Sequence, residues 1–415
     1  MVTLSPTRRW CALLSLALGG FAIGATEFVA MGLLPNMAAD LLPDLYAQSS
    51  AQGIAKAGWM ISAYALGVVV GAPLFAIIAI RFSRTRLLLG LLAVFIVGTV
   101  ASALLPSFGL VLLARFAAAL PHGAYFGTAS LVAASIMGPG SQGKGIAIVL
   151  SGLTVSNVVG VPAITWLGQQ YGWRLAYISV AGIFLLTLVA VLLAVPHQKA
   201  EPGASARQEL RIFRIPQAWL MMAAAAIGFG GFFAVYSYIA EVVNHVTHQP
   251  ASFVPWVLAA IGVGMTVGNL LGGWAADRNL RLTMLAGTPL VIVSLAAVAL
   301  FAGTPAGLLV TAFAVGAANA LVIPSIQTRL IRISGDAQLI AAALNHSAFN
   351  VGNSLGAFLG GAAIAAGFGY LAPTLVGVGL TVLGFALLVV SLRLDRLHPP
   401  AHLEDLEPER VPALS

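Results

Sequence analysis

Charged residues are scarce in this chain. Only 8% of its 415 residues are Asp, Glu, Lys or Arg, whereas 60% are hydrophobic and the mean hydropathy is +0.97. A soluble domain carries about 25% charged residues. The composition therefore excludes a water-soluble globular protein and predicts an integral membrane protein.

Cysteine is also nearly absent. The single residue, Cys11, excludes an intramolecular disulfide bond and a cysteine cluster for a metal ion. The segment GPGSQGKG at 138–145 has the Gly and Lys spacing of a phosphate-binding loop, but Gly145 stands where Ser or Thr would hold magnesium, and a hydrophobic span precedes it. We therefore expect no metal, no cofactor and no ATP binding, which leaves an ion gradient as the energy source.

Long apolar runs are what the chain has instead. In lipid only helices and closed barrels satisfy their backbone polar groups, and barrels show short alternating segments. A spanning helix needs about 20 apolar residues. The predicted fold class is thus an all-α membrane protein with twelve transmembrane helices, at 11–33, 57–80, 87–105, 109–135, 146–167, 173–195, 217–240, 253–276, 284–303, 306–328, 339–366 and 371–392. We number these spans 1 to 12.

One polar stretch divides the chain. Residues 196–216, PHQKAEPGASARQELRIFRIP, form the only long polar connection between spans. We interpret residues 1–195 as an N-terminal six-helix half, 196–216 as a cytoplasmic linker, 217–393 as a C-terminal six-helix half and 394–415 as a cytoplasmic tail.

The net charge of +7 raises the question of nucleic-acid binding. If both termini are cytoplasmic, seventeen of the twenty Lys and Arg residues lie inside, Lys56 and Arg174 lie outside, and Arg115 lies within a span. Cytoplasmic loops of membrane proteins carry such an excess of Lys and Arg. Topology therefore explains the charge, and we expect a multi-pass protein of the inner (plasma) membrane that contacts lipid and not nucleic acid.

The two halves repeat each other. AIIAIRFSRTRLLL after span 2 aligns with GWAADRNLRLTML after span 8 at a constant offset of 197 residues, pairing Ala76 with Gly273, Ile80 with Asp277, Arg81 with Arg278 and Arg84 with Arg281. Six-helix repeats related by an axis along the membrane normal, with a site between them near the midplane, are typical of transporters.

Several motifs resemble those of a known family. Gly273, Asp277, Arg278 and Arg281 form Gly-x-x-x-Asp-Arg followed by a further Arg, and TEFVAMGLLP, YALGVVVGAP, RFAAALPHGAYFG, GLTVSNVVGVP and AFNVGNSLGA lie in spans 1, 2, 4, 5 and 11. With these motifs the chain resembles the major facilitator superfamily, and within it the arabinose efflux permease group of the twelve-helix drug:proton antiporters. The resemblance covers nearly the whole chain. It implies the major facilitator fold and export coupled to proton entry.

The chain departs from the family pattern at three places. Ile80 stands where the first-half signature usually has Asp, and Ala119 where the arginine motif of span 4 usually has Gly. The antiporter motif of span 5 is reduced to a few residues, namely Gly152, Gly160 and Pro162, with Gly168 further on. Import on the same fold therefore stays open as an alternative to export.

Span 1 carries one carboxylate, Glu27. An ionised side chain facing lipid costs about 2.5 to 3.5 kcal/mol or more, and a rise of about 1.5 Å per residue puts Glu27 and Arg115 of span 4 at the same depth. His122 follows Arg115 by two turns. A carboxylate balanced between a nearby arginine and a dry cavity changes its proton affinity with access. We predict that Glu27, Arg115 and His122 form a proton-coupling site; a static ion pair and a packed neutral histidine are the alternatives.

Seven polar residues stand inside other spans. Three share one face of span 11 at spacing i, i+4, i+7, two are isolated amides in spans 5 and 8, and two are tyrosines late in span 7. We predict that they line the substrate cavity. The alternatives are helix-to-helix hydrogen bonds for the amides and an aromatic belt at the membrane surface for the tyrosines. In that order the residues are His346, Asn350, Asn353, Asn157, Asn269, Tyr236 and Tyr238.

Charged residues occupy equivalent cytoplasmic corners of the two halves. We predict that they form a gate that holds the inner ends together in the outward-facing state, with Asp277 bonded to an arginine or a helix end. The predicted gate consists of Arg81, Arg84, Asp277, Arg278 and Arg281.

These features predict a secondary active transporter. We expect proton-coupled efflux of small neutral or lipophilic molecules, such as drugs or sugars, by alternating access in a monomer. The alternative is an importer or facilitator of a small polar solute. A membrane-embedded enzyme or sensor is disfavoured because the sequence has no nucleophile with a base, no metal-spaced histidines and no soluble catalytic domain.

Overall fold

The computed structural model describes residues 5–79, 82–138, 141–198, 215–334 and 338–397, and every regular element in these ranges is helical. The N-terminal part contains α1 Pro6–Leu41, α2 Pro43–Gln48, α3 Ser50–Ala57, α4 Trp59–Ala79, α5 Arg84–Leu104, α6 Phe108–Ala119, α7 His122–Met137, α8 Gln142–Val155, a π-helical turn Ser156–Gly160, α9 Val161–Tyr171 and α10 Trp173–Ala194. The C-terminal part contains α11 Pro216–Tyr236, α12 Ile239–His245, a 3-10 helix Ala251–Phe253, α13 Val254–Phe301, α14 Pro305–Ser334, α15 Gln338–Ala365 and α16 Ala372–Leu397.

Ten segments of the described chain are long and apolar enough to cross a membrane. One of them contains α13, whose 48 residues include the non-helical Asn279 (φ −155°, ψ 91°). The Asn279 side chain accepts a hydrogen bond from the Leu282 backbone N at 2.9 Å and so caps the second part of α13. Dividing α13 there into spans 8 and 9, and adding the more polar α15 as span 11, accounts for the twelve predicted spans.

The predicted ends shift where proline or polar backbone intervenes. Helix α1 continues through Pro35 to Leu41, eight residues beyond the predicted end of span 1 at 33. Span 4 is broken between Ala119 and His122, because Pro121 has no N–H to continue the helical bonding. Most of the predicted linker, 199–214, and residues 398–415 of the predicted tail lie outside the described residues. The division into halves therefore stays a prediction.

The N- and C-terminal spans touch at the end of the bundle that the charge bias predicts to be extracellular, which we call the outer end. Helices α3 and α4 pack on α15, α1 packs on α12, and α9 with the π-turn packs on α13. Ser62 Oγ donates to the Ser354 backbone O at 3.1 Å, and the rings of Trp59 and Phe358 lie 6.1 Å apart. The outer end is closed.

Two glycines allow helix backbones to pack in direct contact, one between α8 and α1 and one between α13 and the π-turn. A Cβ built on Gly152 would stand 1.9 Å from the Ala17 backbone O, so the span-5 motif glycine seats α8 against α1. A Cβ on Gly262 in α13 would stand 2.2 Å from the Asn157 backbone O in the π-turn. Gly262 therefore permits the contact between spans 5 and 8 that closes the outer end.

We expect Gly262→Ala to shift the protein away from the conformation closed at the outer end. Overpacking costs about 1–3 kcal/mol, which lowers the closed-to-open ratio by roughly 5- to 150-fold. Spin-label distances across the outer end measure this ratio. Gly182→Ala is the matched control, because its added Cβ meets nothing within 4 Å. An unchanged distance distribution in folded Gly262→Ala would contradict the prediction.

Candidate functional site

Arg115 is the largest polar side chain at the centre of the bundle and is 0% exposed. Its Nη1 donates to the Thr26 backbone O at 2.7 Å and lies 3.4 Å from Thr26 Oγ1. Its Cζ stands 4.4 Å from the ring centre of Tyr64 in α4 and 5.3 Å from that of Tyr177 in α10. Arg115 thus connects α6 to spans 1, 2 and 6.

Glu27, which is 6% exposed, makes a different set of contacts from those predicted. No nitrogen of Arg115 lies within 4.0 Å of its carboxylate in the described structure, so the static ion pair that was the alternative is not formed in this conformation; the two groups interact only at longer range, and their role in proton coupling stays a prediction. The reason is that successive residues point about 100° apart on a helix, and Arg115 reaches Thr26, one residue earlier. Glu27 Oε2 instead lies 3.9 Å from His122 Nδ1, and the Asn353 side chain lies close enough to act on the carboxylate as a donor.

His122 does join this cluster, as predicted. It begins α7 after the break in span 4, is 2% exposed, and places Nδ1 3.5 Å from Tyr64 Oη. Its ring is 5.4 Å from that of Phe126, which stacks on His346 at 6.1 Å and 5°. The imidazole therefore lies between Glu27 and the ring of Phe126, which contacts His346 of span 11.

The amides divide into two groups. Asn353 (1% exposed) reaches Glu27 from the opposite half, and Asn350 Nδ2 donates to the His346 backbone O at 3.1 Å on its own helix. Asn157 is buried in the π-turn, where its Oδ1 has no hydrogen-bond partner among the described residues. Asn269 is on an exposed face of α13 and makes no hydrogen bond to the cluster in the described part of the chain. The structure brings Asn353 and His346 to the centre and leaves Asn269 apart.

Both predicted tyrosines are 1% exposed, so the surface-belt alternative is wrong for them. Tyr236 lies 5.6 Å from Phe28, centroid to centroid, and within electrostatic range of Glu27. Tyr238 lies further out, where its hydroxyl donates to the Ala357 backbone O at 2.6 Å. Tyr236 therefore adjoins the centre, and Tyr238 secures α15 near the outer end.

At the predicted cytoplasmic gate, Arg81 lies outside the described residues. Asp277 forms no ion pair within 4.0 Å among the residues that are described, so it does not bond to Arg278 or Arg281 in this conformation, and its role in the gate stays a prediction. Arg278 Cζ lies 3.7 Å from the ring centre of Trp274 on its own helix. The predicted gate holds the cytoplasmic ends together in the outward-facing state. Because the outer end is closed in this conformation, we expect the gate residues to be separated.

Three residues that contact Arg115 were missed by the sequence reasoning: Tyr64 and Tyr177 lie against it, and Thr26 accepts its hydrogen bond. Asn345 is a further buried polar residue that was missed, and it is 1% exposed with neither amide atom bonded in the described structure. Nothing in the spacing separates the tyrosines from ordinary packing. Asn345 adjoins His346, and its polarity inside an apolar span was a usable signal.

We define the central site as Glu27, Tyr64, Arg115, His122 and Asn353. It places a carboxyl group and an imidazole, both titratable side chains, beside an arginine whose position is held by backbone and ring contacts. The described residues contain no group of three or more His, Cys, Asp or Glu suited to a metal ion. The chemistry that this arrangement supports is reversible proton binding between two sets of helices.

The family assignment agrees with this geometry. The sequence model of the Major Facilitator Superfamily matches residues 16–248 and 239–415. The chain belongs to the major facilitator superfamily. It is therefore a multi-pass membrane transporter and not an enzyme, and the predicted fold is confirmed.

Three curated proteins are similar in sequence to most of this chain. It is 38% identical over 380 residues to the inner membrane transport protein YdhP of Escherichia coli, covering 92% of this chain and 95% of that protein. It is 33% identical over 360 residues to AraJ of Escherichia coli, covering 86% and 89%. It is 31% identical over 376 residues to the chloramphenicol resistance protein of Streptomyces lividans, covering 88% and 94%.

Solved structures share the fold at low identity. A bacterial homologue of the human lysosomal transporter Spinster, in an inward-facing and unoccupied conformation, matches with a TM-score of 0.73 at 16% identity, over 94% of this chain and 98% of that chain. A D-xylose-proton symporter matches with a TM-score of 0.71 at 16% identity, over 90% and 97%.

Proposed function

We propose that this superfamily member is a proton-coupled exporter of small neutral or lipophilic molecules, such as drugs or sugars, in the inner membrane with both termini in the cytoplasm. The observation that carries the proposal is the position of Glu27. Its carboxylate contacts His122 of its own half and the Asn353 amide of span 11, so the proton-binding group also contacts the opposite half.

This position couples protonation to conformation. An ionised carboxylate is a strong acceptor for an amide donor, and protonation weakens that acceptor. A proton arriving at Glu27 therefore changes the bond to Asn353, which crosses between the halves. The arginine at Thr26 keeps α1 in place while the charge on the next residue changes. Proton binding and alternating access are thereby linked.

The proposed substrate class follows from the residues beside Glu27. Span 7 presents Phe232 and Tyr236, whose rings lie 5.2 Å apart, and the Phe229 ring is 4.2 Å from Phe349 of span 11. Aromatic walls with a few polar groups suit weakly polar molecules. The similarity to a chloramphenicol resistance protein supports a drug-like substrate. We assign substrate contacts to the predicted cavity residues other than Asn269, and the cytoplasmic gate to the predicted arginines with Asp277.

Import is the competing function. It is supported by the fold that this chain shares with a D-xylose-proton symporter. The two directions differ in everted vesicles energised to be acidic inside. An exporter accumulates labelled drug there, and a proton gradient of opposite sign reverses the flux. Accumulation only in right-side-out vesicles with an inward proton gradient would overturn the export proposal.

A further inference from the structure

A second buried carboxylate, Glu241, lies at the outer end, apart from the central site. It belongs to α12, the seven-residue helix that resumes span 7 after a break at Ser237 and Tyr238. Glu241 is 1% exposed, and neither of its carboxylate oxygens has a hydrogen-bond partner among the described residues. A buried charge without donors costs several kcal/mol. The carboxylate therefore needs a proton or a nearby cation.

His245 is the group that can supply a proton or a positive charge to this carboxylate. It lies one turn later on α12, with Nε2 3.3 Å from Glu241 Oε2. The His245 side chain is 45% exposed, whereas that of Glu241 is 1% exposed. The imidazole thus stands between the buried carboxylate and water, where it can pass protons inward.

The pair is connected to the N-terminal half. The Tyr370 ring stacks on His245 with centroids 4.3 Å apart at 13°, and Tyr370 Oη lies 3.3 Å from Ser50 Oγ of α3. Tyr46 of α2 faces the same region: burial raises the pKa of its phenol, and Glu241 and Tyr370 add to the effect. Ser50 and Tyr46 of the N-terminal half therefore lie beside the pair when the outer end is closed, and separation of the halves takes them away from it.

The other charged and titratable groups around the pair leave it without a competing cation. No Lys or Arg of the described chain lies within 4.0 Å of Glu241. Helix α1 brings Asp40 to this end, but Asp40 pairs with Arg174 at 3.0 Å, and the 3-10 helix and the start of α13 carry no charge. Lys56 of α3 lies over the Trp59 ring at 4.7 Å. The remaining titratable groups in electrostatic contact with the pair are Tyr46, Tyr238 and His248.

We propose that Glu241 and His245 form a second proton-binding site, which holds one proton when the outer end is closed. Two arrangements of the covered pair are neutral overall, a carboxylic acid with imidazole and a carboxylate with imidazolium, and both contain one proton. When the pair is hydrated above about pH 6.5, the carboxylate is ionised and the imidazole is neutral, so the pair holds none. Closing the outer end above this pH therefore binds one proton.

This site goes beyond the proposed function. It concerns the stability of one conformation, and it holds for export and import alike. A test that reads closure and not transport, with Glu27 replaced by glutamine so that the central carboxyl does not titrate, separates its failure from failure of the proposed function.

The experiment uses the full chain carrying Cys11→Ser, Glu27→Gln, Gln48→Cys and Ala366→Cys, reconstituted in nanodiscs and spin-labelled. Gln48 at the end of α2 and Ala366 after α15 are exposed residues of the N-terminal and C-terminal parts of the chain, and Cys11 is the only native cysteine. Distance distributions are recorded from pH 5.5 to 8.5. We expect the closed-to-open ratio to fall with rising pH above about 6.5, by up to tenfold per pH unit for one proton.

Glu241→Gln, added to the same chain, should abolish this pH dependence and keep the outer end closed, because the amide mimics the protonated acid. His197→Gln, an exposed histidine after α10 at the opposite end of the bundle, should leave it unchanged. If Glu241→Gln does not fold, His245→Gln decides: only the carboxyl then holds the proton, and the midpoint should move to lower pH. A pH-independent parent chain, an unaltered slope in folded Glu241→Gln, or an unaltered midpoint in His245→Gln would overturn the proposal.

Discussion

Glu27→Gln should abolish uphill transport while leaving the protein folded. The amide retains the size of the side chain and its ability to accept a hydrogen bond from Asn353, but it does not titrate, so no proton gradient can act through it. Downhill exchange of a lipophilic substrate should persist, because binding does not need the charge. The measurement is drug flux into proteoliposomes with and without an imposed proton gradient, normalised to folded protein. We expect the gradient-driven component to fall at least 100-fold.

Asp44→Asn is the matched control for this substitution. Asp44 is an exposed carboxylate at the start of α2, beyond the outer end of α1. Its amide variant should transport like the parent protein. Uphill flux retained by well-folded Glu27→Gln would remove Glu27 from the coupling mechanism, and His122 would be the next residue to substitute.

Arg115→Ala should strongly destabilise the folded protein. It removes a fully buried guanidinium that donates to the Thr26 backbone O and lies over the rings of Tyr64 and Tyr177. A hydrogen bond to a charged group contributes about 1.5–3 kcal/mol, and the lost packing against the two rings adds to this. Arg115→Lys should recover part of this loss, since an ammonium group keeps a donor and the charge but not the planar stacking. Thermal unfolding in detergent measures both.

The control for Arg115 is Arg86→Ala near the start of α5. Arg86 is exposed, and its side chain makes no ion pair or hydrogen bond among the described residues. Its loss should change the melting temperature little. Equal melting temperatures for folded Arg115→Ala and the parent protein would show that the contact with Thr26 does not hold α1 in place.

Arg115 binds Thr26 and not Glu27, because the depth of a residue in the membrane does not fix the direction of its side chain. Counting residues from the ends of spans 1 and 4 placed Arg115 at the level of Glu27, and the structure does bring the two helices together there. A depth estimate does not specify rotation about the helix axis, and one residue is about 100°. Arg115 therefore binds the neighbour of the predicted partner, and His122 and Asn353 take the positions beside the carboxylate.

For Glu241 the sequence did carry an indication of a buried titratable pair, and the sequence analysis did not use it. A carboxylate in YIAEVVNH is as unusual in an apolar span as Glu27 is, and His245 follows it at the i+4 spacing of one helical face. Tyr370, however, comes from 125 residues further along the chain and Ser50 from 195 residues earlier. No local pattern predicts that they meet at the pair.

Membrane location, helical class, the number of spans and the family all follow from the sequence alone. They rest on apolar length, loop charge and repeated motifs, which are local properties that lipid and backbone hydrogen bonding act on directly. The tertiary structure was needed to show which polar groups meet: Arg115 with Thr26, Glu27 with His122 and Asn353, and Glu241 with His245 beneath Tyr370. Those contacts depend on helix rotation, on the breaks at Pro121 and Asn279, and on close approach at glycines. They arise because a polar group inside an apolar bundle is stabilised where a second polar group, on its own helix or on a neighbouring one, comes within reach.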